Sequence, residues 1–181
     1  MTGARTVVLA LGSNIGDRLG YLQHGVSALC GDGAGPDDGL ACLAVSSVYQ
    51  SAPVGGPPQD DYLNAVLLAS SSLRADQILT RAAAAETAAD RARTVRWGPR
   101  TLDVDVIACG AETSDDPRLT LPHPRAHERA FVLAPWLEVA PGAVLPGWGP
   151  VASLLGQADR SGLRRLTELR LTLPGGCGSP R

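Results

Sequence analysis

At 181 residues and a formal net charge of −2, the chain can bury one substantial core and lacks the basic excess of a general nucleic-acid binder. All sixteen basic residues are arginine, which excludes a lysine-bearing P-loop and leaves guanidinium forks for any phosphate site. No apolar run has the length of a bilayer span or a signal segment, and Cys30, Cys42, Cys109 and Cys177 lack CxxC spacing. They read as reduced thiols, so a soluble cytoplasmic protein is expected.

Thr6 to Leu11 is apolar and β-branched, which predicts a strand ending at the turn signal Gly12-Ser13-Asn14. Ser13 and Asn14 read as turn and cap residues. Asp17 is placed to cap a helix over Arg18 to Cys30, with Leu19, Leu22, Val26 and Leu29 on one face. Gly31 to Gly39 is a Gly/Asp/Pro loop, and Leu40 to Tyr49 a second strand. A Pro/Gly-rich loop, Ala52 to Asp60, leads into a third strand over Tyr62 to Ala69. Ala75 to Ala89 is the strongest helix, with Ile78, Leu79, Ala82 and Ala85 as its apolar stripe. Asp90 to Gly98 is polar and rich in arginine and reads as a mobile loop; Thr101 to Ala108 is the fourth strand.

This order of strand, helix, strand, strand, helix, strand is the ferredoxin-like split βαβ plan. It predicts an α+β fold, with an antiparallel or mixed sheet and helices packed on it in three α/β/α layers. Beyond it we expect a turn at Ala111 to Pro117, a strand near Leu119 to Leu121, and short helices near Ala130 to Glu138 and Val151 to Ala158. An edge strand over Leu166 to Leu173 follows. Residues 1–173 read as one domain and 174–181 as a disordered C-terminal tail.

The chemistry is concentrated in Arg96-Trp97-Gly98-Pro99-Arg100-Thr101-Leu102-Asp103-Val104-Asp105-Val106-Ile107. Alternation along a strand turns Leu102, Val104, Val106 and Ala108 toward the core and Asp103 and Asp105 outward together. Their Cα atoms fall about 6.5–7 Å apart, from a rise of ~3.3 Å per residue. Two carboxylates so placed repel each other, and a divalent cation reverses the sign of that interaction. An Asp-x-Asp pair also serves as the wetted face of a strand, and an arginine run as a solvated surface. Together, a carboxylate pair and an arginine loop are the equipment of phosphoryl transfer, where catalysis is mostly positioning and charge neutralisation. On the residues alone, a metal-dependent nucleotidyltransferase and a non-catalytic binding module stay open beside that reading.

The segment resembles the signature of the 6-hydroxymethyl-7,8-dihydropterin pyrophosphokinase family. The resemblance runs from Leu9 to about Pro146 and takes in Leu11-Gly12-Ser13-Asn14, Val45-Ser46-Ser47-Val48-Tyr49, Tyr62-Leu63-Asn64-Ala65, Leu121-Pro122-His123-Pro124 and Arg129-Ala130-Phe131-Val132-Leu133. It implies transfer of pyrophosphate from ATP, as co-substrate, to hydroxymethyldihydropterin, by a monomer that binds neither nucleic acid nor membrane. Asp103 and Asp105 would hold two Mg2+ ions, with Asp105 a candidate proton acceptor. Tyr62 and Phe131 would sandwich the pterin, Asn64 would hydrogen-bond its edge, and Ser51, Val54 and Trp97 would complete its pocket. Arg91 and Arg93 would act catalytically on the phosphates as their loop closes. The ATP side would comprise Glu86, Arg91, Arg93, Trp97, Arg100, Val106, Arg118, Thr120, His123 and Arg129. The chain departs from the family pattern at Ala52, Ala83, Asp90 and Pro124, and its arginine loop is about one residue short.

Overall fold

The computed structural model describes residues 3–31, 35, 39–54, 58–89 and 100–174. Strand β1 (Arg5–Ser13) is followed by helix α1 (Arg18–Cys30), whose first turn is capped where Asp17 Oδ1 accepts the Gly20 N–H at 3.0 Å. The second expected strand is broken in two, β2 (Ala41–Val45) and β3 (Val48–Ser51). Both pair with β4 (Tyr62–Ser71), and Ser46 bridges the gap. Its N–H donates to the Val66 carbonyl at 2.9 Å and its hydroxyl accepts the Val66 N–H at 3.0 Å, so a side chain completes the ladder. Helix α2 (Ala75–Ala88) and strand β5 (Asp103–Cys109) finish the split βαβ core.

The main sheet runs β5-β1-β4-β3, with β2 also on β4 and β10 (Arg164–Leu166) on the outer edge of β3. Every pairing is antiparallel among the described residues. The expected edge strand is thus present but lies earlier in the chain than Leu166 to Leu173. The expected turn at 111–117 contains β6 (Ser114–Asp116), which forms a hairpin with β7 (Leu119–Leu121). After a 3-10 turn at Ala126–Glu128 come α3 (Ala130–Val139), the small hairpin of β8 (Val144–Leu145) and β9 (Gly149–Pro150), and α4 (Val151–Gln157).

Two cores sandwich the sheet. Leu9, Leu11 and Leu67 pack with Leu22, Val26 and Ile78 of α1 and α2 on one face. Val8, Val66 and Leu68 pack with Val132, Leu133 and Trp136 of α3, and with Val151 of α4, on the other. β1 and β4 are therefore apolar on both faces, which is what three layers require. A bulge in β5 opposite Val8 and Leu9 corrects the expected alternation. Val106 keeps its place on the α1/α2 side, whereas Ala108 joins Ile107 in the other core, because the extra residue resets the strand's phase.

Cys30 and Cys42 form a disulfide, correcting the reading of all four cysteines as reduced thiols. Their sequence separation of 12 matches no compact motif; the end of α1 meeting the start of β2 sets their Cα atoms 5.5 Å apart. Cys109 is free and buried, its thiol pushed up to about 11 by burial. Cys177 and all of the expected disordered tail except Pro174 lie outside the described residues.

Candidate active site

At the end of β1 the sheet face toward α3 changes from apolar to polar. Register produces the change: Gly12 stands opposite Asn64 on one side and Asp103 on the other, and Ala10 stands between Val66 and Asp105. One cross-strand row therefore reads Asn64, Gly12, Asp103. The small residues in the middle keep the floor low. A Cβ at Gly12 would lie 3.6 Å from both Asn64 Oδ1 and the Tyr62 ring. Walls rise around this floor from the segment after β3, from His123 and Arg125 after β7, and from Arg129 and Phe131 at the start of α3. They enclose about 290 Å³, a volume suited to a flat bicyclic ring.

This one cavity gathers ten of the residues singled out in the sequence. Ser51, Val54, Tyr62, Asn64 and Phe131 line it, and so do Arg100, Asp103, Asp105, His123 and Arg129. Four others are placed elsewhere. Glu86, buried on α2, accepts the Val104 N–H at 2.9 Å and so holds β5 from behind the floor. Val106 is a core residue. Arg118 pairs with Asp116 at 3.1 Å, and Thr120 donates to the Asp116 carbonyl at 3.2 Å, both on the β6–β7 hairpin that packs beside β5. Arg91, Arg93 and Trp97, with the whole expected loop Asp90 to Gly98, lie outside the described residues.

Gln59 and Arg125 also line the cavity and were not singled out in the sequence. Gln59 lies in a Pro/Gly-rich stretch without periodicity. Arg125 follows His123-Pro124 directly, and that adjacency was the available signal.

The charges are arranged in pairs. Arg100 Nη1 contacts Asp103 Oδ1, and Arg129 Nη1 donates to Asp105 Oδ2 at 3.3 Å. His123 Nε2 stands 3.8 Å from that same oxygen. Burial, and then the Asp103 charge, hold the Asp105 carboxyl above its ordinary value against the pull of His123 and the arginines. Burial likewise lowers His123, with Asp105 opposing. The Arg129 guanidinium also lies 5.7 Å from the centre of the Phe131 ring, tying the phosphate-type wall to the aromatic wall. The Asn64 amide is already half used: Nδ2 donates to the Tyr49 carbonyl at 3.2 Å and to Ser51 Oγ at 2.9 Å. It therefore offers the cavity an acceptor, Oδ1, rather than the donor and acceptor together.

The chemistry of the donor set fits magnesium. Asp103 and Asp105 supply oxygen ligands on one face, and no cluster of three or more His, Cys, Asp or Glu among the described residues could cage an ion alone. Such a pair suits a cation that keeps water and takes its remaining ligands from substrate phosphates.

Residues 8–141 match the family model described as 7,8-dihydro-6-hydroxymethylpterin-pyrophosphokinase (HPPK). The chain belongs to this family. Relatives named 2-amino-4-hydroxy-6-hydroxymethyldihydropteridine pyrophosphokinase include that of Mycobacterium leprae, 45% identical over 92% of this chain and 91% of its own length. The Mycobacterium tuberculosis H37Rv protein is 44% identical over 87% of this chain and 88% of its own. That of Bacillus subtilis is 40% identical over 72% and 75%. The chain is accordingly a pyrophosphokinase of folate biosynthesis, with ATP and a pterin as small-molecule substrates.

Among solved structures, a crystal structure of HPPK-DHPS in complex with substrates superposes with a TM-score of 0.68 at 10% identity, over 91% of this chain. A Plasmodium falciparum HPPK-DHPS with pterin and p-hydroxybenzoate gives 0.64 at 9%, over 90%. The chain spans 47% of each of those longer chains, and at such identity the likeness is one of fold. The ferredoxin-like, α+β expectation is borne out.

Proposed function

We propose that this cavity is where the hydroxymethyl oxygen of 6-hydroxymethyl-7,8-dihydropterin attacks the β-phosphorus of ATP. A new O–P bond forms, the bond from the β-phosphorus to the oxygen of the α-phosphate breaks, the hydroxyl proton passes to Asp105 or to water, and AMP departs. The observation that carries the reading is the row Asn64, Gly12, Asp103: an amide and a carboxylate share one floor, which supports a ring-edge contact beside a metal-binding group.

Tyr62 and Phe131 provide aromatic surface for the pterin, and Asn64 Oδ1 accepts from its N–H edge. Ser51 and Val54 close that side. Arg100, Arg129 and His123 bind and orient the polyphosphate, with Arg118 and Thr120 reaching the nucleotide from the neighbouring hairpin. Glu86 and Val106 act by supporting β5. By family resemblance Arg91, Arg93 and Trp97 also serve the reaction, the arginines offsetting negative charge on the transferring group. Asp103 and Asp105 hold Mg2+, two ions by family resemblance; when bound, the metal neutralises phosphate charge and eases loss of the hydroxyl proton. Use of ATP as co-substrate supports a cytoplasmic location, and no helix among the described residues is long and apolar enough to cross a membrane.

The test is incubation with ATP, Mg2+ and hydroxymethyldihydropterin, followed by nucleotide analysis. AMP formed one-for-one with diphosphorylated pterin is the expected result. Release of inorganic pyrophosphate with a nucleotidylated product would overturn the reading in favour of a nucleotidyltransferase.

A further inference from the structure

Asn14 does not line the cavity, yet it is among the most deeply buried polar residues, 1% exposed, and its bonds run to both walls. Its Oδ1 accepts the Arg100 N–H at 2.8 Å, and its own N–H donates to the Arg100 carbonyl at 3.1 Å. Its Nδ2 donates to Gln59 Oε1 at 2.9 Å and to the Asp60 carbonyl at 3.2 Å. Three segments far apart in sequence thus meet on one amide: the turn after β1, the approach to β4 and the approach to β5. Arg100 and Gln59 are cavity residues, and Arg100 in turn reaches Asp103. The turn-and-cap reading of Asn14 is therefore incomplete, since Asp17 caps α1 and Asn14 is spent across the site.

We infer that Asn14 is a positioning residue that fixes the separation between the Arg100 side and the Gln59 side of the cavity. It acts through those residues and does not touch substrate. Its two limbs are chemically separable. The Oδ1 limb holds the Arg100 backbone and so aims the guanidinium at the carboxylate pair; the Nδ2 limb holds Gln59 and the segment entering β4. No other side chain type of this size offers both an acceptor and two donors. The inference rests on reading this cavity as the transfer site.

The experiment compares Asn14→Ala and Asn14→Asp in the full chain. Both are assayed for kcat and KM with ATP, Mg2+ and hydroxymethyldihydropterin, and for hydrogen exchange at the Arg100 amide. Asn14→Asp keeps an acceptor for Arg100 and loses the donors to Gln59 and Asp60. It should raise the pterin KM about 10-fold while leaving kcat within about 3-fold and the Arg100 amide protected. Asn14→Ala should also lower kcat by about 30-fold, since misplacement on the order of 1 Å costs up to about 10²-fold, and should expose that amide to exchange. Equal kinetics for the two variants, or a lower melting temperature with kcat and KM unchanged, would overturn the latch. Should Asn14→Ala fail to fold, Asn14→Asp with wild-type KM overturns it alone. The exchange measurement needs no turnover, so a wild-type chain that makes no AMP sinks the site reading while the Arg100 result still decides the latch.

Discussion

Burial, and then the Asp103 charge, raise the Asp105 pKa against the opposing pull of His123, Arg129 and Arg100. A carboxyl raised in the folded state is a liability when ionised: the native form is penalised above that pKa and relieved as pH falls below the carboxylate range. Asp105→Asn should therefore lower kcat by about 10³-fold, the scale for removing a group that stabilises transition-state charge, without loss of stability at pH 7. Thermal melts should show the variant at or above the wild type at neutral pH, with any gain shrinking on acidification. Near-normal activity in this variant would remove the metal assignment. Gly12 is informative for the opposite reason. Because an added Cβ meets only ordinary contacts at 3.6 Å, Gly12→Ala should fold normally and lift the floor beneath the ring. Steady-state kinetics should give a pterin KM raised about 10-fold, the order of discrimination one methylene-sized change produces in a pocket, with the ATP KM little changed.

Among the elements, α3 carries Phe131 at its first turn and is fastened about two turns later by Glu138. Glu138 accepts from the Ser47 N–H at 3.1 Å, from Ser47 Oγ at 2.8 Å, from the Tyr49 hydroxyl at 2.9 Å and from Arg165 at 3.0 Å. α3, β3 and β10 are thereby joined at one carboxylate. Burial, and then the bond to Glu138, push Tyr49 up to about 12. With the folded pKa above the unfolded one, this stability is complete below pH 10 and is lost as pH rises toward about 12, roughly 2–3 kcal/mol in all by linkage. Tyr49→Phe should flatten that alkaline loss in urea titrations while lowering stability near pH 7 by about 1 kcal/mol. On the other face, α1 lies close to the sheet at Gly25, where a Cβ would stand 2.9 Å from Leu11 and 3.1 Å from Leu102. Gly25→Val should cost about 1–3 kcal/mol by overpacking, read as a lower denaturation midpoint.

For the whole molecule, the three-layer sandwich leaves the site open at one end of the sheet, between two loops and the start of α3. The expectation of a monomer is tested by hydrodynamics and by dilution. Sedimentation should give a species near 18.7 kDa whose specific activity does not change with dilution. A dimer whose activity is lost on dilution would contradict that.

Much of this was legible in the residues because it is encoded locally. Apolar runs bounded by turn signals placed β1 and β4, and alternation placed the outward pair Asp103 and Asp105; the Asp17 cap and apolar spacing bounded α1 at its observed ends. What needed the tertiary structure depends on contacts between distant segments. The break in the second strand is closed by Val66, the phase of β5 is reset by a bulge against β1, and Cys30 meets Cys42 only when α1 packs against the sheet. Asn14 shows the same division. The sequence by itself determined that the first strand gives way to a polar turn, although β1 runs on through Gly12 and Ser13 instead of stopping at Leu11, so the turn starts only at Asn14. Only the fold decided that the amide of Asn14 would be spent on Arg100, Gln59 and Asp60, because a buried amide must be paired with whatever acceptors and donors packing brings to it.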